Sequence, residues 1–386
     1  MKTLITNIQV VFKDEIASGI DVILKDGYIF EMRNRQDCIG VDYDEVIDGE
    51  NGYLVPGYID IHHHGNSGFD IMDGTIEALT HMGEFQASHG VTSFLGATMT
   101  NPKEAIVKAL ENAKNYIALS NKSSKSSHFL GIYLEGPYFS AEKKGAQPIE
   151  FIRNGDMAEI NEFMEAANHH IRVVAIAPEL DGSLEIIRRL TQDGVKVALG
   201  HSNASYAEAE AGILAGGSIA THLYNGMRAF SHREPAIVGA VLTSDQIAAE
   251  MIVDMIHLHK AAIQLAYRSK GSEQLILVSD AMRATGLKDG EYDLGGQTVH
   301  VTDGKAKLAN GTIAGSTLTL DKAVKNMVEV VGVPLVDAIK MASLNPARAL
   351  GIDQHVGSIE KGKDADLVIL NPDLTVKSVL LKGLKI

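Results

Sequence analysis

Cys38 is the only cysteine in this 386-residue chain. No intrachain disulfide can form, and a metal site would have to use imidazole and carboxylate ligands. No apolar run approaches the length needed to cross a bilayer, which excludes a membrane-spanning helix. Dense Lys/Arg blocks are missing too: 49 acidic residues outnumber 35 basic ones, for a formal net charge of −14. That diffuse acidity argues against a nucleic-acid partner, and a phosphorylated ligand would need local positive charge. The stretch Met1–Asn7 lacks the basic region, long apolar core and cleavage site of a secretory leader, so the cytoplasm is the expected compartment. No repeat is visible, and the one biased tract is the polar loop SNKSSKSSH at Ser120–His128.

What is present is ordinary for a globular protein, with 45% hydrophobic and 22% charged residues. The chain exceeds the roughly 250 residues typical of an α/β barrel, which points to one barrel plus a smaller appended unit. Eight strand-like runs lie near Gly57–Ile61, Val91–Gly96, Phe129–Leu134, Arg172–Ala177, Val195–Gly200, Ser218–Thr221, Glu250–Val253 and Leu275–Ser279. Amphipathic helical segments fill most gaps, among them Ile76–Ser88, Lys103–Leu119, Asp181–Gln192 and Lys260–Ser269. Strands alternating with helices predict a parallel sheet, and eight of them a closed (β/α)8 TIM-like barrel. The Gly-rich stretch Tyr292–Ser316 interrupts this rhythm as a β insertion, before helices near Leu318–Val330 and Leu335–Leu350. Both ends of the chain are rich in short β segments, with a hairpin signal at Asp26-Gly27. The expected division is a small β-sandwich from residues 1–55 plus 355–386, and a barrel over 56–354 with its insertion near 291–316.

Five of the runs end in a residue that can hold or serve a metal: His62, Glu135, His201, His222 and Asp280. Catalytic groups of a parallel barrel sit at the C-terminal ends of its strands, so the recurrence predicts a hydrolytic metal centre. In YIDIHHHG the strand period of two sends His62 and His64 to one side and His63 to the other. The pair can bind one ion, with Asp60 placed to orient a ligating ring. His201 and His222, at successive strand ends, form a ligand pair suited with Glu135 to Zn²⁺ or Fe²⁺. Asp280 is placed to take a proton from water and return it to a leaving amine; the alternative is a helix N-cap.

The ordered set PGYIDIHHHG, YLEGPYFSAEKKGAQ, LGHSNAS, THLYNGM, REPAIVGA, VSDAM, IAGS and GKDADLVIL resembles the amidohydrolase superfamily. Within it the set is most similar to the branch that deacetylates N-acetylated amino-sugar 6-phosphates. The resemblance covers nearly the whole chain. It implies that Glu135, His201 and His222 hold a main divalent ion, and that His62 and His64 hold a second with Glu135 bridging. One or two ions per subunit, zinc or iron, are therefore expected. It further implies substrate contacts from Ala146, Gln147, Asn225, Gly226, His257 and Ile313. Arg233 would meet the phosphate across a homodimer interface.

Three features depart from patterns in the superfamily. No lysine closes the fourth strand run VVAIAPE, where many members carry a carbamylated one. Gln147 stands where the deacetylase branch has a histidine, and Met255 where Asp-Gly-x-His has its glycine. The expected reaction is hydrolysis of N-acetylglucosamine 6-phosphate, with its galactosamine epimer next. An amidohydrolase of cyclic amides or N-acyl amino acids is the rival enzyme, and a catalytically silent scaffold barrel the non-enzymatic alternative.

Overall fold

A computed structural model describes residues 1–119, 123 and 125–386, so part of the polar loop expected at Ser120–His128 lies outside the described residues. Eight strands form one sheet in sequential order: Tyr58–Asp60, Val91–Ala97, His128–Glu135, Ile171–Ile176, Lys196–Leu199, Gly217–Ala220, Ala248–Met251 and Leu275–Leu277. Every neighbouring pair is parallel. Their side chains are almost all buried on both faces, as befits strands wrapped by helices. The ring closes beyond the last strand, where the Asp280 N–H donates to the His62 carbonyl at 2.9 Å. The His64 N–H donates in turn to the Ala281 carbonyl at 3.0 Å. The fold is a (β/α)8 barrel, as expected.

The surrounding helices follow the apolar spacing of the sequence. Ile76–Ser88 starts where the Thr75 side chain accepts the Ala78 N–H, and it buries Ala78, Leu79, Met82 and Gln86 on one face. Tyr206–Ala215 opens with a reciprocal Ser205–Glu208 capping box. The segment expected as one helix over Leu335–Leu350 is two, Leu335–Ala342 and Leu344–Leu350, broken at Ser343. Pro346 has no N–H to give the Ala342 carbonyl, so an uninterrupted helix would lose a bond there. Near Leu318–Val330 the helix Leu320–Asn326 widens into a π turn at Met327–Val331.

Strands from both ends of the chain share a six-stranded sheet. In it Leu367–Leu370 pairs antiparallel with Tyr53–Pro56, which runs parallel to Gln9–Val11. A four-stranded sheet of Tyr28–Asn34, Ile20–Lys25, Lys2–Thr6 and Glu45–Asp48 contributes to the same apolar cluster. Asp26 and Gly27 both have positive φ (52° and 89°) in the two-residue turn between paired Lys25 and Tyr28, the backbone that an Asp-Gly hairpin requires. The insertion folds as a three-stranded antiparallel meander, Gly290–Leu294, Gln297–Thr302 and Lys305–Leu308. It reaches across the barrel mouth, where the Gln297 side chain donates to the Ala146 carbonyl at 2.6 Å.

Candidate metal centre

Glu135, His201 and His222 follow or end the third, fifth and sixth barrel strands, and their side chains converge. Oε1 of Glu135 lies 3.2 Å from Nε2 of His201 and 3.2 Å from Nε2 of His222, and the two Nε2 atoms are 3.1 Å apart. The Nδ1–H of His201 is committed to the Lys143 carbonyl at 2.9 Å, so its Nε2 is a lone pair whenever the ring is neutral. The three atoms, each of a type that can ligate a metal, thus form a nearly equilateral triangle. Ligands about 2.0–2.2 Å from a tetrahedral ion stand about 3.3–3.6 Å from one another. The triangle, with edges of 3.1–3.2 Å, is slightly tighter than that arrangement.

The second group lies beside it. His64 Nε2 is 3.2 Å from Asp280 Oδ1 and 3.4 Å from Glu135 Oε2, while His62 Nε2 is 3.7 Å and 3.5 Å from Asp280 and Glu135 Oε1. Both rings therefore face Glu135, as the strand period requires. His63 faces away, its Nε2 accepting from Asn66 at 2.9 Å and its Nδ1 lying 3.2 Å from Ser279 Oγ. Burial and the nearby charges of His64 and His62 lower its pKa to about 3. Asp60, expected to orient a ligand ring, does not. It accepts from Ser279, Gln86 and the His62 backbone N–H instead. The carboxylate that bonds the His62 ring is Glu250, at 3.0 Å from Nδ1.

The electrostatics of the cluster favour added positive charge. Burial opposes ionisation of Glu135, but the facing rings of His201, His222 and His62 outweigh it and hold the carboxyl well below the usual carboxylate range. Burial likewise acts on Asp280, and the His64 hydrogen bond with the charges of His62, His64 and His222 outweighs it, bringing the carboxyl to about 2. Buried carboxylates persist only when paired or bound to a metal, and His62 Nε2 is buried with no hydrogen-bond partner among the described residues. Nitrogen and oxygen donors of this kind suit zinc or iron. His201, His222 and Asp280 also have φ of 46°, 28° and 48°, a conformation that non-glycine residues adopt rarely and mostly at functional positions.

The cluster floors a cavity of about 250 Å³ that Ala146, Gln147, Asn225, Gly226, His257 and Ile313 also line. At Gly226 (φ 60°) a Cβ would come within 2.9 Å of the His201 ring, so glycine is needed there for close approach. His257 donates from Nδ1 to Asp254 at 2.7 Å. Burial lowers the pKa of His257, but Asp254 more than compensates and raises it overall. Gln147 is more committed than its sequence position suggests: its amide donates to Glu135 Oε2 at 2.6 Å and accepts the Thr100 N–H at 2.9 Å. Met255 has φ 63°, a region that glycine adopts more readily than methionine. Arg233 is exposed and does not line the cavity.

A family model described as Amidohydrolase family matches residues 53–385. The chain belongs to that amidohydrolase family. This amidohydrolase is 39% identical over 383 residues to an N-acetylglucosamine-6-phosphate deacetylase of Lysinibacillus sphaericus, covering 99% of this chain and 97% of the relative. It is 42% identical over 330 residues to an N-acetylgalactosamine-6-phosphate deacetylase of Escherichia coli O157:H7, covering 86% of each chain. Among solved structures it superposes with a TM-score of 0.93, at 31% identity, on a mutant N-acetyl-D-glucosamine-6-phosphate deacetylase from Mycobacterium smegmatis in complex with N-acetyl-D-glucosamine-6-phosphate. That match covers 100% of this chain and 99% of the other. It is a hydrolytic enzyme whose barrel mouth presents two residue groups able to hold divalent metal.

Sequence reasoning overlooked two acids in this amidohydrolase, Glu250 and Asp254. Glu250 did carry a signal: it is the single charge inside the otherwise apolar strand Ala248–Met251. Asp254 precedes His257 by three residues, and that spacing alone does not say whether the two side chains meet.

Proposed function

We propose that this amidohydrolase removes the acetyl group of N-acetylglucosamine 6-phosphate, giving glucosamine 6-phosphate and acetate. The triangle of Glu135, His201 and His222 is the observation that carries this reading, since three buried atoms of metal-ligating type 3.1–3.2 Å apart suit a shared cation. In our reading these three would hold a main ion, and His62 and His64, beside Glu135, a second. A divalent ion there, zinc or iron, supplies Lewis acidity toward the acetyl carbonyl and makes hydroxide available near neutral pH. Asp280, ionised and facing the same space, accepts the proton of the attacking water and delivers it to the departing nitrogen. His257, with its raised pKa, and the polar edge formed by Asn225 and Gly226 receive the sugar phosphate. Ala146 and Ile313 shape the wall beside the acetyl group and sugar.

Arg233 adds the phosphate-pairing guanidinium from a second copy of this chain, making the active species a homodimer. Its exposure supports this, as does the exposed Phe230 on the same loop. Guanidinium suits the task because its planar fork pairs with phosphate oxygens. The galactosamine epimer is the second reading, favoured by the 42% identity to the Escherichia coli relative. Acetate release from a panel of N-acetyl hexosamines and their 6-phosphates tests both. The glucosamine 6-phosphate derivative should give the highest kcat/KM. Turnover of the unphosphorylated sugars alone would overturn the reading.

A further inference from the structure

Glu250 is fully buried, with 0% exposure, at the heart of the seventh barrel strand. Burying a carboxylate is expensive unless it is hydrogen-bonded and matched by opposite charge. The bonds it makes are specific. One oxygen, Oε2, lies 3.0 Å from His62 Nδ1 and accepts the backbone N–H of His222 at 3.1 Å. On the side of the His62 ring, Tyr133 stacks at 4.5 Å between ring centroids, with its hydroxyl 2.9 Å from Thr221 Oγ1. His62 is therefore held by a bond at one nitrogen and by packing on its ring.

The tautomer follows from these contacts. An ionised carboxylate only accepts, so His62 must donate from Nδ1, which leaves Nε2 as a lone pair when the ring is neutral. That Nε2 is buried and bonded to nothing among the described residues, and it faces Glu135 and Asp280. His64 reaches the same state by another route, donating from Nδ1 to the Ala97 carbonyl at 2.9 Å. The two rings thus differ: a neutral carbonyl prepares His64, whereas a full carboxylate prepares His62 and makes its free nitrogen the stronger donor to a cation.

We propose that Glu250 is a positioning residue for a second divalent ion, committing His62 to bind metal through Nε2. The same oxygen also pins the backbone at His222, which joins the two ligand groups through one side chain. This role rests on the reading that His62 and His64 hold an ion.

The test uses EDTA-stripped protein, Zn²⁺ alone, elemental analysis and a competing chelator. The parent should take up two equivalents. Glu250→Ala should keep the first within about threefold and weaken the second by about 10–100-fold, the scale of losing a carboxylate behind a ligating histidine. His62→Gln should abolish the second equivalent, and the double variant should lose nothing further, because Glu250 acts through that ring. If Glu250→Ala does not fold by circular dichroism, Glu250→Gln decides, since it keeps the shape and removes the charge; its second ion should be weaker by about tenfold. Parent-like affinity for the second ion, or equal weakening of both ions, overturns the role. A parent that binds a single ion overturns the second site itself, which is a distinct result.

Discussion

Glu135, His201 and His222 bring their ligand atoms to within 3.1–3.2 Å of one another, whereas Asp280 stands 3.2 Å from His64 and 3.7 Å from His62. The first group comes from the third, fifth and sixth strands of one continuous run of parallel strands, so the barrel itself sets the triangle. The second spans the seam where the eighth strand meets the first. There the distances are looser, and other groups fix the rings: the Ala97 carbonyl for His64 and Glu250 for His62. Two candidate sites a few ångströms apart can therefore depend on different parts of the fold. The triangle should be robust, and the seam pair should respond to changes around it.

Changes to this cluster should separate the two groups. The largest effect is expected for Glu135→Ala, because Glu135 belongs to both. Bound zinc should fall below one equivalent, with a rate loss exceeding the roughly 10²–10⁴-fold typical of a lost proton shuttle. Retention of two ions by that variant would contradict the shared role. Next comes Asp280→Asn, which is nearly isosteric but cannot take up a proton. It should retain the triangle's ion while turnover drops about 10²–10⁴-fold; hydrolysis within threefold of the parent would exclude Asp280 as the proton carrier.

Metal removal sharpens the comparison through stability. A ligand at one hundred times its Kd stabilises the fold by about 2.7 kcal/mol, so EDTA should lower Tm measurably. Titrating zinc back should restore most of that shift with the first equivalent. Recovery only after the second would mean that the triangle is not the tighter site.

Arg233→Ala should raise KM for the phosphorylated substrate by about 10–150-fold, from the roughly 1.5–3 kcal/mol of a charged hydrogen bond. Mixing that protein with Asp280→Asn protein should restore some activity after subunit exchange. No recovery would place Arg233 in its own subunit's site or outside the site. The smallest effect belongs to Gln147→His. Histidine can replace the donation to Glu135 only if it also satisfies the Thr100 N–H, so kcat/KM should change by about two- to tenfold. Unchanged rates together with a shift in preference between hexosamine epimers would instead make residue 147 a specificity element.

Much of the fold was legible because its signals are local. The eight apolar runs with helical spacing between them marked the barrel, and Asp26-Gly27 marked a hairpin whose turn needs two positive-φ residues. Leu335–Leu350 misled because its apolar spacing continues through Ser343, while the missing N–H of Pro346 acts one turn earlier. Within the site, His62, Glu135, His201, His222 and Asp280 were identifiable as strand-end residues of metal-binding type. Asp60 was overrated for being two residues from His62. Glu250, 188 residues away in sequence, makes the contact instead.

The sequence by itself determined the alternation of strands and helices, the His62/His63/His64 facing and the chemical type of each candidate ligand, since period and side-chain chemistry are properties of short segments. Tertiary structure alone decided that Glu135, His201 and His222 meet at 3.1–3.2 Å, that Glu250 rather than Asp60 backs His62, and that Gln147 binds Glu135. Those contacts join residues on different strands and loops. Their distances depend on how the barrel closes and packs, which no local pattern encodes.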